Sequence, residues 1–332
     1  MYIIIGDPHI TIKNLRESND FFEHIAKKVE QCRGIEPVEI IILGDGQHNH
    51  SVIRMEVLNY WDYLFETLSK IETITNIYYL VGNHDLSGDK NRERDQSAFS
   101  VFSGKYPKVQ IINKHKVFDN VAFMPYYSSE KSFLDGCHKL YEKGATETVI
   151  CHQTFNGAKY ETGMYAPEGF DHTKVPQNKI LSGHIHIKQE FDKVFYPGTW
   201  RWMTKSDANT EKGYITAMNS GNGILEDIEF HPTEDVCTPI KEYLVEEGDK
   251  LPEFNDNHRN YITLKGSSKW ANKIKQDIKD KAIIKIMSTD SKVKRIDIST
   301  IKNIEDFINN HHSLEKDITK DELKTYIGKL WA

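Results

Sequence analysis

The sequence predicts an α/β fold over residues 1–230, followed by a small α+β appendage. Three observations lead there. Short runs rich in Ile and Val alternate with stretches of helical periodicity. Five of those runs end in a short polar motif containing Asp, Asn or His. Past His231 both the charge and the pattern change.

Taken in order, Ile3–Ile5, Glu39–Leu43, Ile77–Val81, Thr148–Cys151 and Lys179–Leu181 read as buried strands. A helical pattern from Glu17 to Cys32 separates the first two, and another from Val52 to Ile71 separates the second and third. Strand–helix–strand repetition predicts βαβ units and a sandwich. Val121–Met124, Phe191–Tyr196 and Ile215–Met218 look like strands without intervening helices, which predicts a second, more antiparallel sheet. Pro232, Pro239 and Pro252 punctuate an acidic stretch over 231–258 that reads as a linker or meander. Tyr261–Leu264, a helix near Lys269–Lys279, Ile283–Met287 and Val293–Ile298 make a βαββ unit over 259–302. Residues 303–332 read as a terminal helix. Thr319 and Glu322 form a capping-box pattern there, and Leu323, Tyr326, Ile327, Leu330 and Trp331 form an apolar stripe.

The 332 residues are 38% hydrophobic and 28% charged, an ordinary globular composition. No apolar run approaches the roughly 20 residues that span a bilayer. Tyr2–Ile5 is too short for a signal-peptide core, so the chain is expected to be cytoplasmic and not in a membrane. The four cysteines form no CxxC pair and read as buried free thiols of a reducing compartment. A net charge of −6 argues against a uniformly basic nucleic-acid binder, but the charge is segregated. Glu226–Asp256 carries −9 and Arg259–Lys302 carries +8, which predicts modules with different partners.

The polar motifs are Gly6-Asp7-Pro8-His9, Gly44-Asp45-Gly46-Gln47-His48, Gly82-Asn83-His84-Asp85, Cys151-His152-Gln153 and Gly183-His184-Ile185-His186. Each stands where a loop leaves the carboxyl end of a strand, the edge at which sites assemble in open α/β sheets. Two Asp, one Asn and four His offer mixed oxygen and imidazole ligation, which suits manganese, iron, zinc or nickel better than calcium or magnesium. Seven ligands are too many for one ion and about right for two ions sharing a carboxylate, the arrangement that clamps both oxygens in phosphoryl transfer.

These five motifs in this order resemble the signature of calcineurin-like metallophosphoesterases over residues 1–230. Within that family the chain is similar to SbcD-type nuclease subunits, above all those of tailed-phage recombination systems, through Tyr196-Pro197-Gly198-Thr199 and Lys212-Gly213-Tyr214. The resemblance implies a four-layer α/β/β/α sandwich with a small capping domain and a C-terminal helix. It implies two divalent ions, manganese first and magnesium second. Asp7, His9, Asp45 and His186 would hold one, and Asp45, Asn83, His152 and His184 the other. His84 would assist the departing oxygen, Asp85 would orient His84, and His48 would contact the phosphate. The subfamily usually carries two apolar residues before that last His. Gly46 and Gln47 stand there instead, with Asn49 and His50 as nearby alternates.

The implied activity is metal-dependent hydrolysis of DNA within a recombination or end-processing complex, in the host cytoplasm if phage-encoded. Expected DNA contacts are Lys90, Arg92, Arg94, Arg201 and Lys205, with Trp200 and Trp202 stacking on frayed bases, and Lys269 and Lys273 in the cap. The terminal stripe would dock on an SbcC-type ABC ATPase with a coiled coil, and the 52–71 helix would meet a second copy. Two rivals are a metallophosphoesterase of small phosphodiesters and a catalytically silent DNA-end scaffold.

Overall fold

The computed structural model describes residues 1–50, 52–87, 97–143 and 147–289. Strands β1 (Tyr2–Ile5), β2 (Val38–Ile42), β3 (Ile74–Leu80) and β4 (Val109–Ile112) pair in parallel in that order. Helices α1 (Leu15–Gln31) and α2 (Met55–Ser69) make the first two crossovers. Strands β5 (Lys116–Phe118), β6 (Val121–Met124), β7 (Thr148–His152), β8 (Lys179–Gly183), β9 (Gln189–Phe191) and β10 (Val194–Tyr196) form a second sheet, with helix α3 (Glu130–Glu142) between β6 and β7. Strands β11 (Gly213–Asn219) and β12 (Leu225–Pro232) return to the first sheet, whose order is β12-β11-β1-β2-β3-β4. The second runs β5-β6-β7-β8-β10-β9.

The β1–β3 runs are apolar on both faces because both faces are covered. Ile3 and Ile5 point to the layer that α1 and α2 close with Phe21, Phe22, Trp61 and Phe65. Tyr2 and Ile4 point the other way, and meet Phe123, Ile150 and Leu181 of the second sheet. The far side of that sheet, through Met124, Val149 and Ile180, packs on Phe133, Cys137 and Leu140 of α3. The result is the expected α/β/β/α sandwich. Each such Ile, fully buried, contributes roughly 1.5–3 kcal/mol.

Three expectations are corrected. The central pairs of the second sheet, β6–β7, β7–β8 and β8–β10, are parallel, and only its edge strands are antiparallel. The unforeseen α3 supplies the crossover that parallel pairing requires. The Phe191–Tyr196 run holds the turn of a hairpin and its second strand, and is not one strand. Asp192 adopts φ +48° there, a conformation Asp tolerates better than most side chains. The Ile215–Met218 run joins the first sheet, antiparallel to β1.

The chain divides into two compact units. One comprises residues 1–242 and 253–261, and the other residues 243–252 and the chain from Ile262 onward. Two of the three divisions fall within β13 (Ile240–Glu246) and β14 (Arg259–Gly266), which with β15 (Ile283–Ser288) form a three-stranded sheet in sequence order. Helix α4 (Ser268–Ile278) follows β14 and is capped by the Ser267 hydroxyl, which accepts from the Trp270 amide. Among the described residues, no helix is long and apolar enough to cross a membrane. The strand expected at Val293–Ile298 and the terminal helix lie outside the described residues.

Candidate metal centre

Loops leaving β1, β2, β3, β7 and β8 bring all five motifs together. Several chemistry-bearing residues hold backbone conformations that L-residues rarely adopt, with φ +35° at Asp7, +43° at His9, +52° at Asp45 and +81° at His184. Such strain costs roughly 1–3 kcal/mol per residue and is retained where function needs the geometry. Two anchors hold the first loop. His9 donates its amide to the Asp45 carbonyl at 2.8 Å. The buried Asn14 donates its side-chain amide to the His9 carbonyl at 3.1 Å and accepts from the Thr11 amide at 2.7 Å.

The side chains form two facing groups around Asp45. On one side are Asp7, His9 and His186, with the His9 and His186 Nε2 atoms 3.1 Å apart. On the other are His152 and His184, with His152 Nε2 and His184 Nδ1 at 2.9 and 2.7 Å from Asn83 Oδ1. Asp45 Oδ2 lies between the groups, 3.7 Å from His9 Nε2 and 3.4 Å from His152 Nε2. Asp7, His9, Asp45 and His152 are essentially sealed from solvent.

Proton positions follow from the outer partners. His152 Nδ1 lies 2.6 Å from the Leu43 carbonyl, which can only accept, so Nδ1 carries a proton and in the neutral ring the Nε2 lone pair faces inward. His186 Nδ1 lies 3.1 Å from Glu161 Oε1, leaving its Nε2 inward likewise. Asp7 Oδ1 accepts from the His184 amide at 2.8 Å, while the buried Asp7 Oδ2 has no hydrogen-bond partner among the described residues. Lone pairs thus converge from imidazoles and carboxylates with too few protons among them, the arrangement that a cation satisfies.

The buried carboxylates also draw positive charge into the cluster, a proton on His152 or a cation in its place. Burial raises Asp7 above the ordinary carboxylate value, with Asp45 adding to the effect. Burial also works to raise Asp45, but His152, His9 and His84 override it and hold it well below that range. Burial would lower His152, but Asp45 and Asp7 lift it to about 9. Burial takes His184 down to about 3, with His152 acting the same way.

A comparison with known protein families matches residues 2–188 to the calcineurin-like phosphoesterases. The chain belongs to that family. No curated protein matches it. Members hydrolyse phosphoesters with divalent metals, and the donor set here fits such ions: buried imidazole and carboxylate groups, one carboxylate oxygen unpartnered, and a shared Asp.

The other expected residues fare differently. His84 stands at the phosphoesterase cluster's rim, its side chain about a quarter exposed, with Nε2 3.9 Å from Asp45 Oδ2. It also groups with His9 and Asp45. Asp85 does not orient it. That carboxylate is buried and accepts from the amides of Asp45, Gly46 and Gly82 and from the Tyr79 hydroxyl, at 2.9–3.0 Å. It braces the β2 loop against the β3 loop instead. His84 is oriented by the His48 carbonyl, which accepts from its Nδ1 at 2.6 Å, and by the His50 ring stacked at 3.8 Å. The His48 side chain is exposed, its ring 5.3 Å from that of His9.

Packing explains the Gly46-Gln47 departure. A Cβ at Gly46 would strike the Tyr79 hydroxyl and come within 2.7 Å of Phe99 and 2.9 Å of Trp61. These three aromatics fill the space that larger residues would occupy. Gln47 is buried and donates to the His84 carbonyl at 3.0 Å. Gly46→Ala is therefore expected to cost roughly 1–3 kcal/mol by overpacking, read as a lowered midpoint in denaturant unfolding with an unchanged slope.

Arg201, Trp200 and Trp202 are corrected as nucleic-acid contacts. Arg201 is buried and paired with Glu17 at 3.1 Å. Trp200 is sealed against Phe21, their rings stacked at 4.2 Å, and Trp202 donates to the Thr210 carbonyl. The segment after β10 runs through the helix-covered core, so basic and aromatic neighbours there are packing elements. Lys205 pairs with Glu242 at 2.6 Å. Lys269 and Lys273 are exposed on α4 of the second unit. Lys90, Arg92 and Arg94, and the stripe of Leu323, Tyr326, Ile327, Leu330 and Trp331, lie outside the described residues.

Glu161 is the residue that sequence reasoning missed. It sits in the long β7–β8 connection with no motif around it. Burial works to raise it, but His186 brings it down to about 2. A carboxylate behind a ligating imidazole fixes its tautomer and raises its basicity, and removal typically costs 10–100-fold in metal affinity. Glu161→Ala is expected to weaken manganese binding by about that factor, with Glu161→Gln recovering part of it, as read by titration calorimetry.

Proposed function

We propose that this phosphoesterase is a manganese-dependent DNA nuclease of the SbcD type, with magnesium as the other candidate ion. Asp7, His9, Asp45 and His186 hold one ion, and Asp45, Asn83, His152 and His184 the other. The observation that carries the reading is the position of Asp45 Oδ2 between two imidazole groups, within 3.7 Å of both. Bound there, divalent ions supply Lewis acidity that neutralises phosphoryl charge and acidifies water.

The chain's own residues do the rest. Glu161 and the Leu43 carbonyl hold His186 and His152 with their second nitrogens inward. His84, with its proton fixed on Nδ1 by the His48 carbonyl, turns Nε2 toward the cluster. When Nε2 is protonated, that group hands its proton to the departing sugar oxygen. An imidazole suits the task near neutral pH.

The +8 segment, which includes exposed Lys269 and Lys273, supports a polyanionic substrate. On this reading 1–230 is the catalytic domain, 231–258 a meander that includes β13, 259–302 a cap and 303–332 the docking element for an SbcC-type ATPase. Met55 and Tyr63 stand exposed on α2, opposite its buried Trp61, Phe65 and Leu68, and support pairing with a second copy there. The reading is cytoplasmic.

The test compares kcat/KM for single-stranded DNA, a small chromogenic diester and a phosphoserine peptide, all with manganese. The nuclease reading expects both diesters to be cleaved, the DNA with the higher kcat/KM. Turnover of the small diester alone favours the small-molecule rival. Metal-independent DNA binding without cleavage favours the scaffold.

A further inference from the structure

A cleft of about 930 Å³ in the first unit begins at Gln47 and His48, the rim of the metal centre, and runs between the start of α1 and the start of α2. That volume is at the upper end of the roughly 300–1,000 Å³ that hold small ligands, room for a few units of one strand and not for a duplex. Its walls are cationic: Lys13, Arg16, Arg54, Arg201 and Arg259 line it against two carboxylates, Glu17 and Asp20. Glu17 is already taken by buried Arg201, and Arg54 pairs with Glu56 outside the cleft. Lys13 and Arg16 are exposed and have no ion pair among the described residues. Arg259 is exposed, and its guanidinium donates to the Trp202 carbonyl. Two exposed apolar side chains also line it, Ile12 at 44% and Val52 at 64%.

We propose that this cleft is the track of a single DNA strand entering or leaving the metal centre, a deepening that rests on the nuclease reading above. Lys13 and Arg16 neutralise successive backbone phosphates next to the scissile one, and Ile12 and Val52 pack on the sugars and bases between them. His48 stands where the track meets the cluster and places the scissile phosphate. Unpaired cations and exposed aliphatics in one cleft match the charged and apolar surfaces of a strand.

The test is Lys13→Ala/Arg16→Ala beside the wild-type chain. Both residues are exposed, so the fold is expected to persist, and circular dichroism with thermal unfolding checks it. Two assays follow with manganese: turnover of a small chromogenic diester, and binding of a fluorescein-labelled single strand by anisotropy at several salt concentrations on His84→Ala backgrounds to prevent cleavage. The expected result is unchanged small-diester turnover in the otherwise wild-type background. Strand affinity falls roughly tenfold, and the log–log salt dependence becomes shallower by about 1.4, since each phosphate contact on a single strand contributes about 0.7. Equal affinity and an equal slope would overturn the track while leaving the nuclease reading intact. A wild-type chain that turns over the small diester but neither binds nor cuts strands would overturn both.

Discussion

Asp45→Asn is expected to reduce manganese binding from two ions to one or fewer per chain and to slow diester hydrolysis by about three orders of magnitude or more. The size follows from the role. An ion clamp supplies several kcal/mol to the transition state, and each 1.4 kcal/mol or so is tenfold in rate. Asp45 Oδ2 faces both imidazole groups, so removing its charge weakens both sites together. The substitution spares the frame. Asn keeps an oxygen to accept from the His84 amide, and the backbone bonds of residue 45 to His9 and Asp85 are untouched. Metal content by mass spectrometry and the manganese-induced rise in melting temperature check it. Saturating metal stabilises the wild type by about 2.7 kcal/mol at a hundred times Kd, and the variant by much less.

His84→Ala should act on rate and spare metal. The ring is at the rim with Nε2 3.9 Å from Asp45, while the inward donors come from His9, His152, His184 and His186. Manganese stoichiometry is expected to stay at the wild-type value. Strand cleavage should fall by about 10²–10⁴-fold, the usual worth of a positioned acid. A chromogenic diester whose leaving group departs without a proton should lose far less. That split separates proton transfer from a ligand role. Loss of an ion from the variant would instead make His84 a ligand with His9 and Asp45.

Much of this was legible because two signals are local. Runs such as Tyr2–Ile5 are apolar on both faces only when both faces are covered, so β1, β2 and β3 and the helices between them stand out. Ligands that follow strand ends stay close in sequence to the runs that position them. What was not legible depends on three-dimensional neighbours. Asp85 looks like a partner for the adjacent His84, yet the β2 loop offers it two amides across forty residues of chain. Arg201 sits between two tryptophans and reads as a stacking surface until Glu17, 184 residues away, takes it inside. Glu161 carries no pattern because its partner His186 is on another loop. Helix α3 was hidden by a mixed sequence with Gly136 in its middle. A Cβ at Gly136 would fall 2.7 Å from the Met124 methyl, so helix and sheet approach closely there.

The most direct test of the central claim incubates the purified chain with end-labelled single-stranded and linear duplex DNA, with manganese or with chelator, beside Asp45→Asn. The account predicts label release that requires manganese, disappears with chelator and is lost in the variant. Intact DNA under every condition, from a chain that still binds two manganese ions and hydrolyses a small diester, would contradict it.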